Sequence, residues 1–352
     1  MISERLLKLV RCPECRGRIA RDPGSTESLA CTACGRRYRT AGSDVLDMRP
    51  LEQFAEQTKY LDEALHADAR HERVSPPLLG SKIRNDMLRR FLRPGPGDSV
   101  IDLGCGSGRA LLWNRDLGAA AVGIDISPYF AEEARREVDL LLGDLRRLPF
   151  ADGTFTKAWS LDVLEHLSPD ALKAMLTEAG RVLAPGGALF VYTHVRKNAR
   201  VAVGLRGINA LARQLERVGL IDMRQERLRK SDHVNPLRDI PELEQVARSA
   251  GFHIGKIRYY TPIVGGFVEN IMMRMAERAM ARRAAKRLGT SLPAADADAA
   301  AIREARASAK ARIERSPATY AALRALSFVM KVDVLLFGRI RSGPFFALLV
   351  KD

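Results

Sequence analysis

The spacing of apolar residues changes character several times along the chain. Between residues 52 and 93 apolar positions recur at helical intervals, broken at Ser75-Pro76-Pro77. The run stops at Arg93-Pro94-Gly95-Pro96-Gly97, where two Pro-Gly pairs make a firm turn. Short continuous apolar runs follow, the form taken by strands covered on both faces of a parallel sheet. Ser99-Val100-Ile101-Asp102-Leu103 is the first, and it leads into Gly104-Cys105-Gly106-Ser107-Gly108 and a helix from about Arg109. Ala120-Ala121-Val122-Gly123-Ile124 is the second and closes on Asp125. Farther on, Leu189-Phe190-Val191-Tyr192-Thr193-His194 reads as a fifth strand, residues 241–250 as a helix and 252–260 as a sixth strand. Strands alternating with helices predict an α/β protein with a doubly wound, Rossmann-like sheet.

The N-terminal segment follows a different rule. Cys12 and Cys15 form one C-x-x-C pair and Cys31 and Cys34 another, a spacing at which two knuckles meet around one tetrahedral zinc ion. Two redox motifs would be the alternative, but redox pairs seldom come doubled at this spacing. Four thiolate ligands leave no open position, so the metal is expected to fold the module without taking part in catalysis. Cys105, the fifth cysteine, stands between two glycines where a small side chain suffices, and reads as a spacer rather than a nucleophile.

The glycine turn invites a ligand close to the backbone, since side chains there would block it. Asp125, 19 residues after Gly106, is placed to take the two hydroxyls of a ribose. A dinucleotide fingerprint would read G-x-G-x-x-G and seat a pyrophosphate. Here the third glycine comes one residue early, and the acidic Asp102 precedes Leu103-Gly104. That carboxylate would repel a pyrophosphate but can accept from the amino group of an amino-acid-bearing nucleotide.

Asp102-Leu103-Gly104-Cys105-Gly106-Ser107-Gly108 resembles motif I of the class I S-adenosylmethionine-dependent methyltransferases. The resemblance continues through Gly143-Asp144-Leu145, Asp152-Gly153-Thr154-Phe155, Asp162-Val163-Leu164-Glu165-His166-Leu167 and Leu183-Ala184-Pro185-Gly186-Gly187, and so covers residues 98–194. It implies S-adenosylmethionine as cofactor, held by Asp102, Gly104, Gly106, Gly108, Asp125, Ile126, Asp144, Leu145 and Leu161, with Asp144 reaching the adenine amino group. It also implies a seven-stranded sheet. Thr156 departs from the pattern, which has an acid there; the position mostly caps a strand. The segment from about residue 8 to 49 is similar to small zinc-ribbon proteins that activate tRNA and translation-factor methyltransferases, and to the zinc module of some rRNA guanine methyltransferases. The expected organisation is a zinc ribbon over 1–50, a helical lead-in over 51–97, a cofactor-binding core over 98–263, a basic helical insertion over 264–341 and a last core strand over 342–352.

Methyl transfer asks mainly for alignment in a dry pocket, helped by a general base when the acceptor is a hydroxyl or amine. His194 at the end of the fifth strand, His233 ahead of the 241–250 helix and His166 after the fourth strand are the candidate bases, with loop or packing histidines as the alternative for each.

Charge then sharpens the picture. The chain has 352 residues, a net charge of +15, 46% apolar and 6% aromatic residues, so it is neither disordered nor built around stacking platforms. The basic surplus is concentrated in the ribbon, in residues 196–230 and in residues 271–341, while the remainder is slightly acidic. No run reaches the roughly 18 apolar residues of a membrane span. Residues 1–11 mix Glu4 with Arg5, Lys8 and Arg11, unlike a signal peptide, and the expected location is cytoplasmic, peripheral at the inner membrane face. Met272, Met273, Met275 and Met280, and the apolar turns over 320–337, either pack a helical subdomain or present an apolar face under a basic rim to an anionic membrane. The expected activity is methyl transfer to oxygen, nitrogen or carbon of a small-molecule or lipid-linked acceptor. RNA methylation and a non-catalytic cofactor-binding scaffold are the alternatives; the oligomeric state is left open.

Overall fold

The computed structural model of the protein describes residues 2–21, 29–41, 45–51, 74–194, 203–221, 233–234, 237–260, 264–287, 316–341 and 343–352. Much of the helical run predicted over 52–93, the Ala-rich stretch over 291–301 and the helix expected over 302–315 fall outside the described residues.

The central strand is β6 (Ser99–Leu103), buried along nearly its whole length. On one side lie β7 (Ala120–Asp125) and β8 (Asp139–Leu142), and on the other β9 (Phe155–Leu161), β10 (Leu183–Thr193), β12 (Phe345–Lys351) and β11 (Phe252–Tyr259). All pair in parallel except β12, which runs antiparallel to both β10 and β11. These are the seven strands expected of the doubly wound sheet. Two more extend it: β5 (Val45–Asp47) pairs in parallel with β8 through Leu46 opposite Leu141, and β4 (Thr40–Ala41) pairs with β5. A three-residue segment carries no strand signal of its own; the open hydrogen-bonding edge of β8 makes it one.

Helices cover both faces. On one, α5 (Pro169–Val182) and α7 (Ile240–Ser249) bury Leu172, Met175, Leu176, Ala179, Leu243 and Ala247 against the sheet. Ser168 starts α5 by accepting from the Ala171 N–H at 3.3 Å, with Pro169 in the first turn. The N-terminal module packs on this same face: α1 (Glu4–Leu9) and the small sheet of β1 (Ile19–Arg21), β2 (Leu29–Cys31) and β3 (Arg37–Tyr38) contribute Leu6, Val10 and Tyr38 to one continuous core. Arg5 pairs with Asp139 at 2.6 Å and Arg147 with Glu14 at 3.0 Å across the junction.

The opposite face carries α2 (Leu79–Leu92), α3 (Arg109–Asn114) and α4 (Glu132–Glu137). The segment between β11 and β12 adds α8 (Val264–Phe267), a π turn over Val268–Met272, α9 (Met273–Arg287) and the long α10 (Pro317–Phe337). Met330 and Val334 of α10 join Ile83 and Met87 of α2 in the core of this face. Lys331 pairs with Asp86 at 2.8 Å, the Ser327 hydroxyl accepts from the Leu79 N–H at 2.8 Å, and Asp333 accepts from the Val264 N–H at 2.9 Å. The other basic segment contributes α6 (Val203–Arg217), whose Ala212 packs with Ile221 and Ile271. Among the described residues no helix is long and apolar enough to cross a membrane.

Candidate active site and cysteine cluster

The carboxyl ends of β6, β7, β8 and β9 converge where strand order reverses, the usual crevice of an open parallel sheet. Gly104, Gly106 and Gly108 all have positive φ, at 80°, 53° and 82°. A Cβ on Gly104 would stand 2.4 Å from Val163 Cγ2, and one on Gly108 2.7 Å from Ala134 Cβ. Gly106 faces open space, with nothing within 4 Å of where its Cβ would be. The turn is thus tied down at both ends and open in the middle, as a ligand cradle requires.

Asp125 holds the turn from below. Its two carboxylate oxygens accept from the Gly106 N–H at 2.7 Å and the Ser127 N–H at 2.8 Å. Burial pushes its pKa up, with those two N–H groups pulling the other way. Asp102 is 2% exposed, and its Oδ2 has no hydrogen-bond partner within the chain. Burial pushes this carboxyl up to about 7; the Trp159 indole works against the rise and Asp125 adds to it. An orphaned, buried acceptor beside an open glycine turn fits a ligand that brings an amino group. Asp144 is also buried, but both its oxygens accept from Arg146, at 2.9 and 2.8 Å. An adenine amino group would therefore share that carboxylate with the guanidinium, using lone pairs the arginine leaves. Ile126, Leu145 and Leu161 flank these acids at the ends of β7, β8 and β9. Ser127, with a buried hydroxyl lacking a partner, was not expected; a serine two residues past a strand end carries no signal in sequence. Thr156 replaces the acid of the pattern and takes a stapling role, donating to Asp98 at 2.8 Å and accepting from the Ser99 N–H at 3.2 Å.

Next to the cradle, the three candidate histidines come together although they lie 28 and 39 residues apart in order. His166 and His233 meet edge to face with ring centroids 4.6 Å apart, and His194 and His233 at 5.8 Å. His166 sits in a short 3₁₀ turn, Leu164–His166, and not yet in the helix expected there, because Pro169 defers the helix start. Glu165, 1% exposed, is the hub: it accepts from the Thr193 hydroxyl at 2.9 Å and lies 3.6 Å from His194 Nε2. Burial pushes its pKa up to about 8, helped by Asp162 and opposed by Thr193 and Arg84. Arg84 of α2 lies 3.6 Å from Asp162 and 5.1 Å above the Tyr192 ring. Burial opposes its charge, yet Asp162, Tyr192, Tyr260 and Glu269 hold it firmly protonated. Glu165, Asp162 and Arg84 were not singled out as site residues in sequence; the Asp162-x-x-Glu165 spacing was the available signal, and Arg84 had none.

In the N-terminal module the four thiols lie within 4.8 Å of one another. Cys12 and Cys34 sulfurs are 3.7 Å apart, and Cys15 and Cys31 3.4 Å. Sulfurs bound tetrahedrally at about 2.3 Å from zinc would stand about 3.8 Å apart, so the cluster fits a zinc ribbon. The Tyr38 hydroxyl donates to Cys12 at 2.9 Å and fixes one ligand. Cys105 is buried and pushed well above the ordinary thiol range, chiefly by burial, as a spacer would be.

Residues 101–191 match the family model described as a methyltransferase domain. An uncharacterized 37.1 kDa protein in transposon TN4556 of Streptomyces fradiae is 35% identical over 149 residues, 38% of this chain and 38% of that protein. The demethylmenaquinone methyltransferase of Corynebacterium kroppenstedtii is 40% identical over 104 residues, covering 29% of this chain and 44% of that protein. The ubiquinone biosynthesis O-methyltransferase of Azorhizobium caulinodans is 31% identical over 157 residues, 41% of this chain and 61% of that protein. The matched stretch thus spans less than two thirds of each relative's length. Carried by the sheet, the glycine turn and its acids, that stretch places the chain among the class I S-adenosylmethionine-dependent methyltransferases.

Proposed function

We propose that this protein methylates a small-molecule or lipid-linked acceptor held between the glycine cradle and the histidine cluster. The observation that carries this is their adjacency: Val163, in the segment that presents Glu165 and His166, lies directly against Gly104. S-adenosylmethionine, when bound, supplies a methyl group activated on a sulfonium sulfur. Asp102, Asp125 and the glycine turn hold it at the strand ends, and Asp144 addresses its base. His194, oriented by the buried Glu165, takes the proton an acceptor hydroxyl or amine gives up. Val163 and the rings of Tyr192 and Tyr260 exclude water from the reacting groups.

A lipid-linked acceptor is favoured by α10. Phe328 and Leu336 are 66% and 67% exposed on its outer side, joined by Val329 and Ile340, with exposed Arg324, Arg339 and Arg341 at the rim. Apolar side chains beneath basic ones suit an anionic bilayer surface. The relatives named for demethylmenaquinone and ubiquinone biosynthesis support a quinone-like acceptor. The four-thiol module is proposed to hold structural zinc, which folds the module and leaves chemistry to the sheet.

The test is transfer of labelled methyl from S-adenosylmethionine into fractionated cell extract. Label in the organic-soluble fraction, lost in Asp125→Ala, supports this reading. Label confined to RNA, or no transfer with any fraction, overturns it.

A further inference from the structure

We propose that Glu165, His166 and His233 form a binding site for a divalent transition-metal cation at the acceptor end of the sheet. A carboxylate oxygen of Glu165 and one ring nitrogen from each histidine lie within 4.8 Å of one another. The two imidazole planes are 89° apart, so both can turn a nitrogen to a common point without their rings colliding. Ligands at about 2.0–2.2 Å from one ion stand roughly 3 Å apart, a closure that small side-chain rotations supply. Glu165 and His166 are neighbours on one tight 3₁₀ turn, and His233 comes from a separate segment. The cation would join two parts of the chain that no regular element connects.

The surroundings match the donor set. Glu165 has its second oxygen fixed by the Thr193 hydroxyl, the kind of outer hydrogen bond that orients a ligating carboxylate. Asp162, Glu165 and His194 make a second trio of ligand atoms within 4.8 Å, so Glu165 belongs to both and further donors stand close by. Two imidazoles and one carboxylate suit zinc, iron(II), cobalt or manganese better than magnesium or calcium, which take oxygen sets. Three protein ligands also leave a position open, unlike the closed four-thiol cluster. On the methyl-transfer reading, on which this part rests, an acceptor hydroxyl would fill that position, become more acidic, and pass its proton to His194.

The experiment counts zinc in the full-length protein after dialysis against micromolar Zn²⁺, by atomic emission. Protection of the ribbon thiols from alkylation identifies the zinc held there. The wild type is expected to hold two zinc ions per chain, and Glu165→Gln and His233→Ala one each, with ribbon protection unchanged. His233→Ala alters a half-exposed side chain, so it decides the matter should the buried Glu165→Gln fail to fold. A wild-type protein holding only ribbon zinc, or variants that keep both ions, overturns the proposal. Zinc is counted without acceptor, so a failed methyl-transfer assay leaves this count standing, and a single-zinc count leaves methyl transfer standing.

Discussion

Replacing Asp102 with asparagine separates what a buried charge costs from what it does for the ligand. Asp102 is buried, one oxygen lacks a partner, and its carboxyl is pushed from 3.8 to about 7. The folded state therefore holds the proton more tightly than the unfolded chain. Stability is highest in acid and falls as pH rises from about 3.8 to about 7, and is level above that. Each pH unit inside the window costs about 1.4 kcal/mol, so the ligand-free wild type should lose about 3 kcal/mol relative to Asp102→Asn between pH 5 and pH 8. Urea unfolding of both proteins at the two pH values measures this difference. Calorimetry supplies the other half: wild-type affinity for S-adenosylmethionine should rise through pH 7 as the carboxylate ionises, whereas Asp102→Asn should bind more weakly and without that rise. Parallel stability profiles for the two proteins, or equal affinity at pH 8, would refute the reasoning.

Gly104→Ala forces a side chain into a left-handed position 2.4 Å from Val163, and should cost about 2 kcal/mol of stability. A shifted urea midpoint reads this, and adding Val163→Ala should restore the part due to collision but not the part due to φ. Cys31→Ser should remove ribbon zinc and, because Leu6, Val10 and Tyr38 share the main core, lower the melting temperature of the whole protein rather than of a detached module; metal analysis and a thermal melt check it. Phe328→Glu with Leu336→Glu should abolish flotation with anionic vesicles while leaving S-adenosylmethionine affinity intact, since both residues project outward from α10; undiminished flotation would remove the membrane surface from the reading.

The sequence by itself determined the local chemistry. Two C-x-x-C pairs, a glycine turn after a buried strand, and acids at the strand ends are set by spacing along the chain, because one turn or one strand end places each of them. Only the tertiary structure decided the rest. Val45-Leu46-Asp47 became a strand because β8 offered it an edge, and the ribbon became part of the core because its apolar side found the α5 face. Three histidines from separate segments met around Glu165 because β9 and β10 end side by side. Arg84, from a helix more than 70 residues earlier in the chain, came to face Asp162 because α2 packs across those same strand ends. Contacts of that kind depend on how layers stack, and stacking is a property of the whole chain that no window of sequence contains.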